Sequence, residues 1–261
     1  MQVNGLFIDE WGGNGEFLVF VHGLGGASNT WYPQGQVLKH DFRTLAYDLA
    51  GSGLSSNSGG LSMRAHVEDL QSLIEAAGAS RVHLAGHSMG TIICQHLAAE
   101  RPELVASMTL AGALREPAEQ ARQALRERAA KARAEGMRPI ADAIVAGGTS
   151  SDTKVNQPSA AAFVRQSLMA QSPEGYARNC EALAEAEAAD LSRIQCPVLL
   201  LTGDEDRTAP PDVGRAIASA LSIAELQVLA GCGHWTTVER PKQVSYAMTV
   251  FSSRLRRASG M

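Results

Sequence analysis

The chain has 261 residues, of which 45% are hydrophobic and 19% are charged, and its formal net charge is −4. These values are close to the averages for globular proteins, and no block of like charge points to a nucleic-acid or polyanion partner. No apolar stretch reaches the ~18 residues that a membrane span needs, and we expect no secretory signal peptide at the N-terminus. The four cysteines form no CxxC pair, so we expect reduced thiols in a cytoplasmic protein.

Short apolar runs alternate with segments of helical periodicity along most of the chain. The runs predict strands at residues 6–8, 17–21, 42–47, 82–85, 107–110, 198–202 and 224–229. A period of 3.6 predicts helices at residues 64–77, 91–100 and 213–221. Strands that alternate with helices are typical of an α/β fold with a mostly parallel, doubly wound sheet. Such sheets bind ligands at the carboxyl ends of their strands, so we expect the functional residues there.

The alternation stops between residues 115 and 190. This segment is rich in Ala, Glu, Arg and Gln, which predicts several helices without a strand, joined by a polar loop at residues 147–158. We therefore predict a core domain of residues 1–114 and 191–261, with a helical cap subdomain of residues 115–190 inserted between two core strands. The alternative is a surface excursion of helices that has no role in the site.

The strongest catalytic motif is GHSMG at residues 86–90. It lies between the apolar run at residues 82–85 and a helix-forming stretch, which is the strand–turn–helix context of a nucleophile elbow. The turn is so tight that a Cβ at either flanking position would clash with the strand or the helix, hence the glycines. Ser88 is lifted clear of the sheet at a helix N-terminus, where developing negative charge is favoured, so Ser88 is the predicted nucleophile.

A serine nucleophile needs a base, and the base needs an acid to orient it. His234 is the only histidine beyond residue 96, which makes it the predicted base. The acid is less restricted, because three carboxylates follow the strand predicted at residues 198–202. They are Asp204, Glu205 and Asp206, and the residues alone leave the choice between them open.

Five motifs together resemble the α/β-hydrolase superfamily. They are HGLGG at 22–26, DLAGSGLS at 48–55, GHSMG at 86–90, GDED at 203–206 and GCGHWTTVERP at 231–241. The resemblance implies that the acid is the Asp of a G-x-x-D pattern, which is Asp206, with Asp204 as the second choice. An acid after the strand at residues 107–110 is disfavoured, because residues 111–114 carry no carboxylate. The resemblance also implies an oxyanion hole made by the backbone N–H groups of Leu24 and Met89.

Within the superfamily the chain is most similar to the small-cap branch of 3-oxoadipate enol-lactonases and related carboxylesterases, through the junction at residues 172–206. That similarity implies hydrolysis of a carboxylic ester or lactone of a small substrate through an acyl-enzyme intermediate. Arg165, Arg178 and Lys154 in the predicted cap are candidate contacts for an anionic substrate, but a position on the solvated surface is favoured for each. The scattered apolar residues of the predicted cap indicate a modest pocket for short acyl chains or small lactones.

Two further functions stay open at this point. One is a meta-cleavage C–C bond hydrolase that uses the same triad, and the other is a non-catalytic ligand-binding protein of the same fold. Serine rather than aspartate at position 88 disfavours a haloalkane dehalogenase. No HExxH motif or carboxylate cluster has the spacing of metal ligands, so neither a metal nor another cofactor is expected. The expected partner is a small-molecule substrate, without nucleic acid or membrane.

Overall fold

The computed structural model describes residues 3–56 and 59–258, with the backbone alone at residue 258. Its strands are β1 (Ile8–Gly12), β2 (Phe17–Val21), β3 (Arg43–Tyr47), β4 (Val82–His87), β5 (Val105–Ala111), β6 (Val198–Gly203) and β7 (Ala224–Leu229). They form one sheet in the order β1-β3-β2-β4-β5-β6-β7. Only the β1–β3 pair is antiparallel within the described sheet. The predicted α/β fold with a mostly parallel sheet is confirmed.

The first strand does not lie where the sequence predicted it. The apolar residues 6–8 precede most of β1, which instead pairs Ile8 with Tyr47 and Gly12 with Thr44 of β3. Leu6 is buried in the core but lies outside the strand. β1 itself is an edge strand with alternating exposed and half-buried residues, so its pairing leaves little apolar signal in the sequence.

Helices cover both faces of the sheet. They are α1 (Tyr32–Leu38), α2 (Met63–Ala76), α3 (Met89–Glu100), α4 (Glu119–Glu135), α5 (Met137–Gly148), α6 (Ser151–Asn156), α7 (Pro158–Met169), α8 (Pro173–Ala184), α9 (Pro211–Ala220), α10 (Thr236–Glu239) and α11 (Pro241–Ala258). The helices predicted at 64–77, 91–100 and 213–221 correspond to α2, α3 and α9. None of the described helices is long and apolar enough to cross a bilayer.

Successive residues of the buried strands pack into two apolar clusters, one on each face of the sheet. Leu84 of β4 belongs to the cluster that contains Leu70 and Ile74 of α2. Its neighbour Ala85 belongs to the other cluster, which contains Val244 of α11. Because side chains alternate along a strand, a strand covered on both faces is apolar at nearly every position. This explains why β4 to β6 were predicted from short apolar runs.

Five helices, α4 to α8, lie between β5 and β6, and that described segment contains no strand. α4 packs along α8, and α5 packs along α7. The polar loop predicted at residues 147–158 is wrong, because α5 extends to Gly148 and α6 fills most of the remainder. The Ser150 side chain caps α6 by accepting a hydrogen bond from the Thr153 N–H at 3.0 Å. The division into a core and a cap subdomain of residues 115–190 stays a prediction.

Candidate active site

Ser88 lies in a strained turn between β4 and α3. Its φ of 51° and ψ of −118° are unusual for a residue with a Cβ, and such strain of about 1–3 kcal/mol is found mainly at functional sites. A Cβ at Gly86 would lie 2.7 Å from the Gly90 carbonyl oxygen, and one at Gly90 would lie 2.4 Å from the Val21 carbonyl oxygen. Glycine is therefore required at both positions, as the motif predicted.

The structure brings Ser88, His234 and Asp206 together at the carboxyl ends of β4, β7 and β6. The Ser88 Oγ lies 2.8 Å from Nε2 of His234. On the other side of the ring, Nδ1 of His234 lies 2.8 Å from Oδ2 of Asp206. With Nδ1–H donating to the carboxylate, Nε2 is free to accept the proton of the Ser88 hydroxyl. All three residues are buried.

The carboxylate of Asp206 is fully buried and fully hydrogen-bonded. Its Oδ1 accepts hydrogen bonds from the N–H groups of Thr208 and Ala209, each at 2.8 Å. Burial alone would raise the pKa of Asp206, but the adjacent His234 and the two N–H donors outweigh it and lower the pKa. The group is therefore charged at neutral pH, as the partner of an imidazolium must be.

The alternative acid, Asp204, does not contact His234. Its side chain is exposed, and its Oδ1 accepts a hydrogen bond from the Cys232 N–H at 3.0 Å. The segment after β5, where an acid was disfavoured, packs against His234 at Gly112. A Cβ at Gly112 would lie 3.1 Å from Nδ1 of His234. Of the positions considered, Asp206 is the one whose carboxylate reaches the histidine.

The two predicted oxyanion donors, Leu24 and Met89, lie beside Ser88. A Cβ at Gly23 would lie 2.8 Å from the Cβ of Ser88, so the loop that carries Leu24 packs directly against the elbow. Leu24 and Ser88 line the same cavity. Met89 is the first residue of α3, and the first N–H groups of a helix have no partner within it.

His22 fixes the loop that carries Leu24. Its Nδ1–H donates to the Gly23 carbonyl at 2.8 Å, and its Nε2 accepts from the Leu49 N–H at 2.9 Å. Burial lowers the pKa of His22 more than nearby Asp48 and the bond to Gly23 raise it. The ring is therefore neutral, which agrees with one nitrogen that donates and one that accepts.

His87 packs against His234. The G-x-S-x-G pattern of the elbow does not specify the residue at position 87, so no role was predicted for His87. The rings of His87 and His234 are 5.2 Å apart at their centroids. Nε2–H of His87 donates to the His234 carbonyl at 2.9 Å. Burial is the main cause that lowers the pKa of His87 to about 3, and the proximity of His234 lowers it further, so the His87 ring stays neutral. A polar residue inside an otherwise apolar strand end was the available sequence signal for it.

A cavity of about 940 Å³ opens onto Ser88 and His234. Its apolar lining includes Leu24, Leu114, Ala121, Ala124, Leu125, Ile140, Ile144 and Trp235. Much of this lining belongs to α4 and α5. The volume lies at the upper end of the range for small-molecule sites, so the modest pocket predicted from the sequence is wrong.

The cationic residues of the cavity do not include Arg165, Arg178 or Lys154, for which the sequence favoured positions on the solvated surface. Those that line it are Arg115, Arg128, Lys131 and Arg207. Arg165 instead pairs with Asp142 at 2.7 Å, and Lys154 donates to the Ala146 carbonyl at 3.0 Å. Arg178 donates to the carbonyl of Gly59. In the described part of the chain, no group of three His, Cys, Asp or Glu side chains is placed to hold a metal ion.

Comparison with known proteins shows the family of the chain. The family model of the alpha/beta hydrolase fold matches residues 16–241. The chain belongs to the α/β-hydrolase family. A putative non-heme bromoperoxidase, BpoC, of Mycobacterium tuberculosis is 30% identical to this hydrolase over 249 residues, which cover 92% of this chain and 94% of the relative.

Two solved structures extend the likeness over nearly the whole of this α/β-hydrolase. A thermophilic esterase from Thermogutta terrifontis superposes with a TM-score of 0.91 at 27% identity, covering 96% of this chain and 93% of the esterase. The enol-lactonase from Burkholderia xenovorans LB400 superposes with a TM-score of 0.88 at 29% identity, covering 96% of this chain and 98% of the lactonase.

Proposed function

We propose that this α/β-hydrolase cleaves a carboxylic ester or lactone through an acyl-enzyme on Ser88. The observation that carries the proposal is the unbroken hydrogen-bonded series from the Ser88 Oγ through His234 to the Asp206 carboxylate, at 2.8 Å in both steps. A buried acid, a correctly oriented imidazole and a hydroxyl on a tight turn are the parts that acyl transfer requires.

In the acylation step, the Ser88 oxygen attacks the carbonyl carbon of the substrate while Nε2 of His234 takes the hydroxyl proton. His234 then gives that proton to the departing alkoxide, and Asp206 stabilises the imidazolium that exists between the two transfers. In deacylation a water molecule takes the place of the alcohol. His234 removes its proton and returns one to Ser88, which releases the acid and restores the enzyme.

The oxyanion of each tetrahedral intermediate is assigned to the backbone N–H groups of Leu24 and Met89. Each such donor is worth on the order of 3 kcal/mol in the transition state when it is held in place beforehand. The loop of Leu24 is held by His22, and Met89 is held by the helix that it begins. Neither donor depends on a side chain, so substitutions at these two positions would act through the shape of the pocket.

The cavity and the comparisons support an ester or lactone as the substrate class. The lining is mainly apolar beside Leu24, Leu114 and Trp235, which suits the acyl part of an ester or lactone, and it also carries charged side chains, four of them cationic. An esterase and an enol-lactonase are among the structures that superpose on this chain. We also place the protein in the cytoplasm, and its four unpaired, buried cysteines support that location.

Replacement of the nucleophile tests the proposal. We expect Ser88→Ala to lower kcat for p-nitrophenyl butyrate by on the order of 10⁴ to 10⁶ with an unchanged far-UV circular dichroism spectrum. A fluorophosphonate should add one equivalent to the wild-type protein, at Ser88, and none to the variant. Ser159→Ala, on the exposed surface of α7, is the matched control and should keep full activity. A Ser88→Ala variant that retains a tenth of the activity would refute the assignment.

A further inference from the structure

Glu239 is a charged residue in an unexpected place. It is the last residue of α10, five positions after His234, and its side chain is completely buried. Burial of a carboxylate costs several kcal/mol unless hydrogen bonds or a cation compensate. Among the described residues no cationic side chain pairs with it, since the neighbouring Arg240 pairs with Asp152 at 2.7 Å instead.

The compensation comes from four hydrogen-bond donors. Oε1 of Glu239 accepts from the Trp235 N–H at 3.0 Å. Oε2 accepts from the Gly233 N–H at 3.0 Å, from the Ser150 N–H at 2.8 Å and from the Thr153 hydroxyl at 2.8 Å. Hydrogen bonds to an ionised acceptor are about twice as strong as neutral ones, so this is a rigid junction.

The donors come from two segments of the chain. Gly233 and Trp235 belong to the base loop, defined here as residues 230–235, and they flank His234 on both sides. Ser150 and Thr153 belong to the α5–α6 junction, defined as residues 148–153. The His234 N–H itself donates to the Gly148 carbonyl of that junction at 2.8 Å. One carboxylate thus joins the backbone on either side of His234 to the junction between α6 and α5, and α5 lines the cavity.

We propose that Glu239 is a positioning residue that holds His234 in reach of Ser88 and couples the base loop to the α5–α6 junction. The role rests on the proposed function, in which His234 is the base. A displacement of about 1 Å can reduce catalysis about 10²-fold, and the 2.8 Å contact between Nε2 and the Ser88 Oγ leaves little room for one. The proton stays on the triad, and Glu239 acts only through the backbone of its neighbours.

Glutamine cannot replace this carboxylate, although it has the same shape. All four partners of Glu239 are donors, and an amide presents one oxygen and one NH₂ group. In either orientation the NH₂ group would face an N–H donor of the base loop. Glu239→Gln therefore breaks the junction without opening a cavity.

The experiment measures the rate per correctly folded site rather than total activity. The full-length Glu239→Gln variant is titrated to completion with a fluorophosphonate, which counts competent sites, and kcat for p-nitrophenyl butyrate is divided by that count. We expect kcat per site and the phosphonylation rate to fall together by about 10- to 100-fold, with KM changed by less than about threefold. A role in folding alone would lower the number of sites and leave kcat per site unchanged, which would overturn the proposal.

Glu205→Gln is the matched control. Glu205 accepts a hydrogen bond from the Ser151 N–H of the same junction at 2.9 Å, but its side chain is exposed. The Glu205→Gln substitution should leave kcat per site within about twofold of the wild-type value.

A second variant, Thr153→Val, tests the proposal if Glu239→Gln does not fold. It removes one donor from Oε2 of Glu239 and leaves the hydrogen bonds to the base loop in place. A drop of about threefold or more in kcat per site would support the coupling, and an unchanged value would overturn it.

The two proposals fail in different ways. If the wild-type protein is not labelled at Ser88, both the acyl-enzyme mechanism and the positioning role of Glu239 are refuted. A wild-type protein labelled once at Ser88, together with a Glu239→Gln variant of unchanged kcat per site, would end only the positioning role.

Discussion

Asp204 and Asp206 lie two residues apart in one turn after β6, yet they have different environments. Asp206 is buried, and both its oxygens are occupied by donors. Asp204 is exposed, and the one hydrogen bond of its side chain in the described structure is accepted from the Cys232 N–H, two residues before His234. The Asp206 carboxylate contacts the His234 imidazole, while the Asp204 carboxylate holds the base loop from its solvent side.

This difference predicts unequal effects of the same substitution. We expect Asp206→Asn to lower kcat by roughly 10³ or more, because an amide neither fixes the tautomer of His234 nor stabilises its charged form. Asp204→Asn keeps an oxygen that can accept from Cys232 and should lower kcat by less than about tenfold. Steady-state kinetics on p-nitrophenyl butyrate compares the two variants. The reverse order would mean that Asp204 is the acid.

Among single residues, the sequence predicts those whose role follows from their neighbours in the chain or from the choice of residue types available. The two glycines around Ser88 follow from one turn, and His234 follows from the scarcity of histidines after the elbow. Glu239 was not found, because its partners at Ser150 and Thr153 are more than 80 positions away in the chain. His87 was not found either, since its burial against His234 depends on the packing of two separate strand ends.

At the scale of elements, the predicted ends of the six strands from β2 to β7 lie within two residues of the observed ones, whereas β1 and α6 were not predicted where they lie. β1 is held by pairing with β3 rather than by an apolar run. The α6 helix is short and polar, and it depends on its Ser150 cap and on Glu239. Tertiary contacts decide these elements, and periodicity in the sequence does not record them.

α4 determines the shape of the cavity. Residues that line it recur along one face of the helix, and they are Gln120, Ala121, Ala124, Leu125, Glu127, Arg128 and Lys131. This face spans roughly 16 Å at 1.5 Å per residue. Ala121 and Ala124 occupy this face near the N-terminus of α4. Because their side chains are small, the cavity has room for a substrate acyl chain that runs along the helix.

A bulky residue on that face should therefore act on long substrates alone. We expect the wild-type protein to hydrolyse p-nitrophenyl esters from acetate to decanoate. Ala124→Phe should lower kcat/KM for decanoate by about tenfold or more and change the value for acetate by less than about twofold. Ala130→Phe, on the exposed part of the same helix outside the cavity, is the control. Equal losses for acetate and decanoate would show that the acyl chain does not lie along α4.

At the scale of the whole molecule, four buried histidines lie outside the triad and link separate elements of the fold. Burial is the main cause of the lowered pKa of His22, His66, His83 and His87. His66 of α2 hydrogen-bonds to Asn179 of α8 at 2.8 Å, which links the sheet-covering helices to the inserted ones. His83 of β4 hydrogen-bonds to Ser107 of β5 at 2.8 Å. Protonation of these rings is unfavourable in the folded state and ordinary in the unfolded state.

Stability should therefore fall as the pH drops below about 6.5, the usual histidine pKa. Between the lowered folded-state pKa values and the unfolded value, the unfolded chain binds more protons, so the free energy of unfolding decreases with acid by roughly 1.4 kcal/mol per pH unit for each proton. Urea unfolding between pH 7.5 and 5.5, above the titration range of most carboxylates, measures this slope. We expect the slope near pH 5.5 to show that the chain takes up at least about two protons when it unfolds.

Two histidine variants identify the source of that slope. His66→Gln should reduce the uptake by about one proton, whatever it does to the stability at pH 7.5, because it removes one ring that is protonated only on unfolding. His40→Gln changes an exposed histidine and should leave the slope as it is in the wild-type protein. An uptake below one proton in the wild-type protein, or the same slope in the wild-type and His66→Gln proteins, would contradict the prediction that burial keeps these rings neutral.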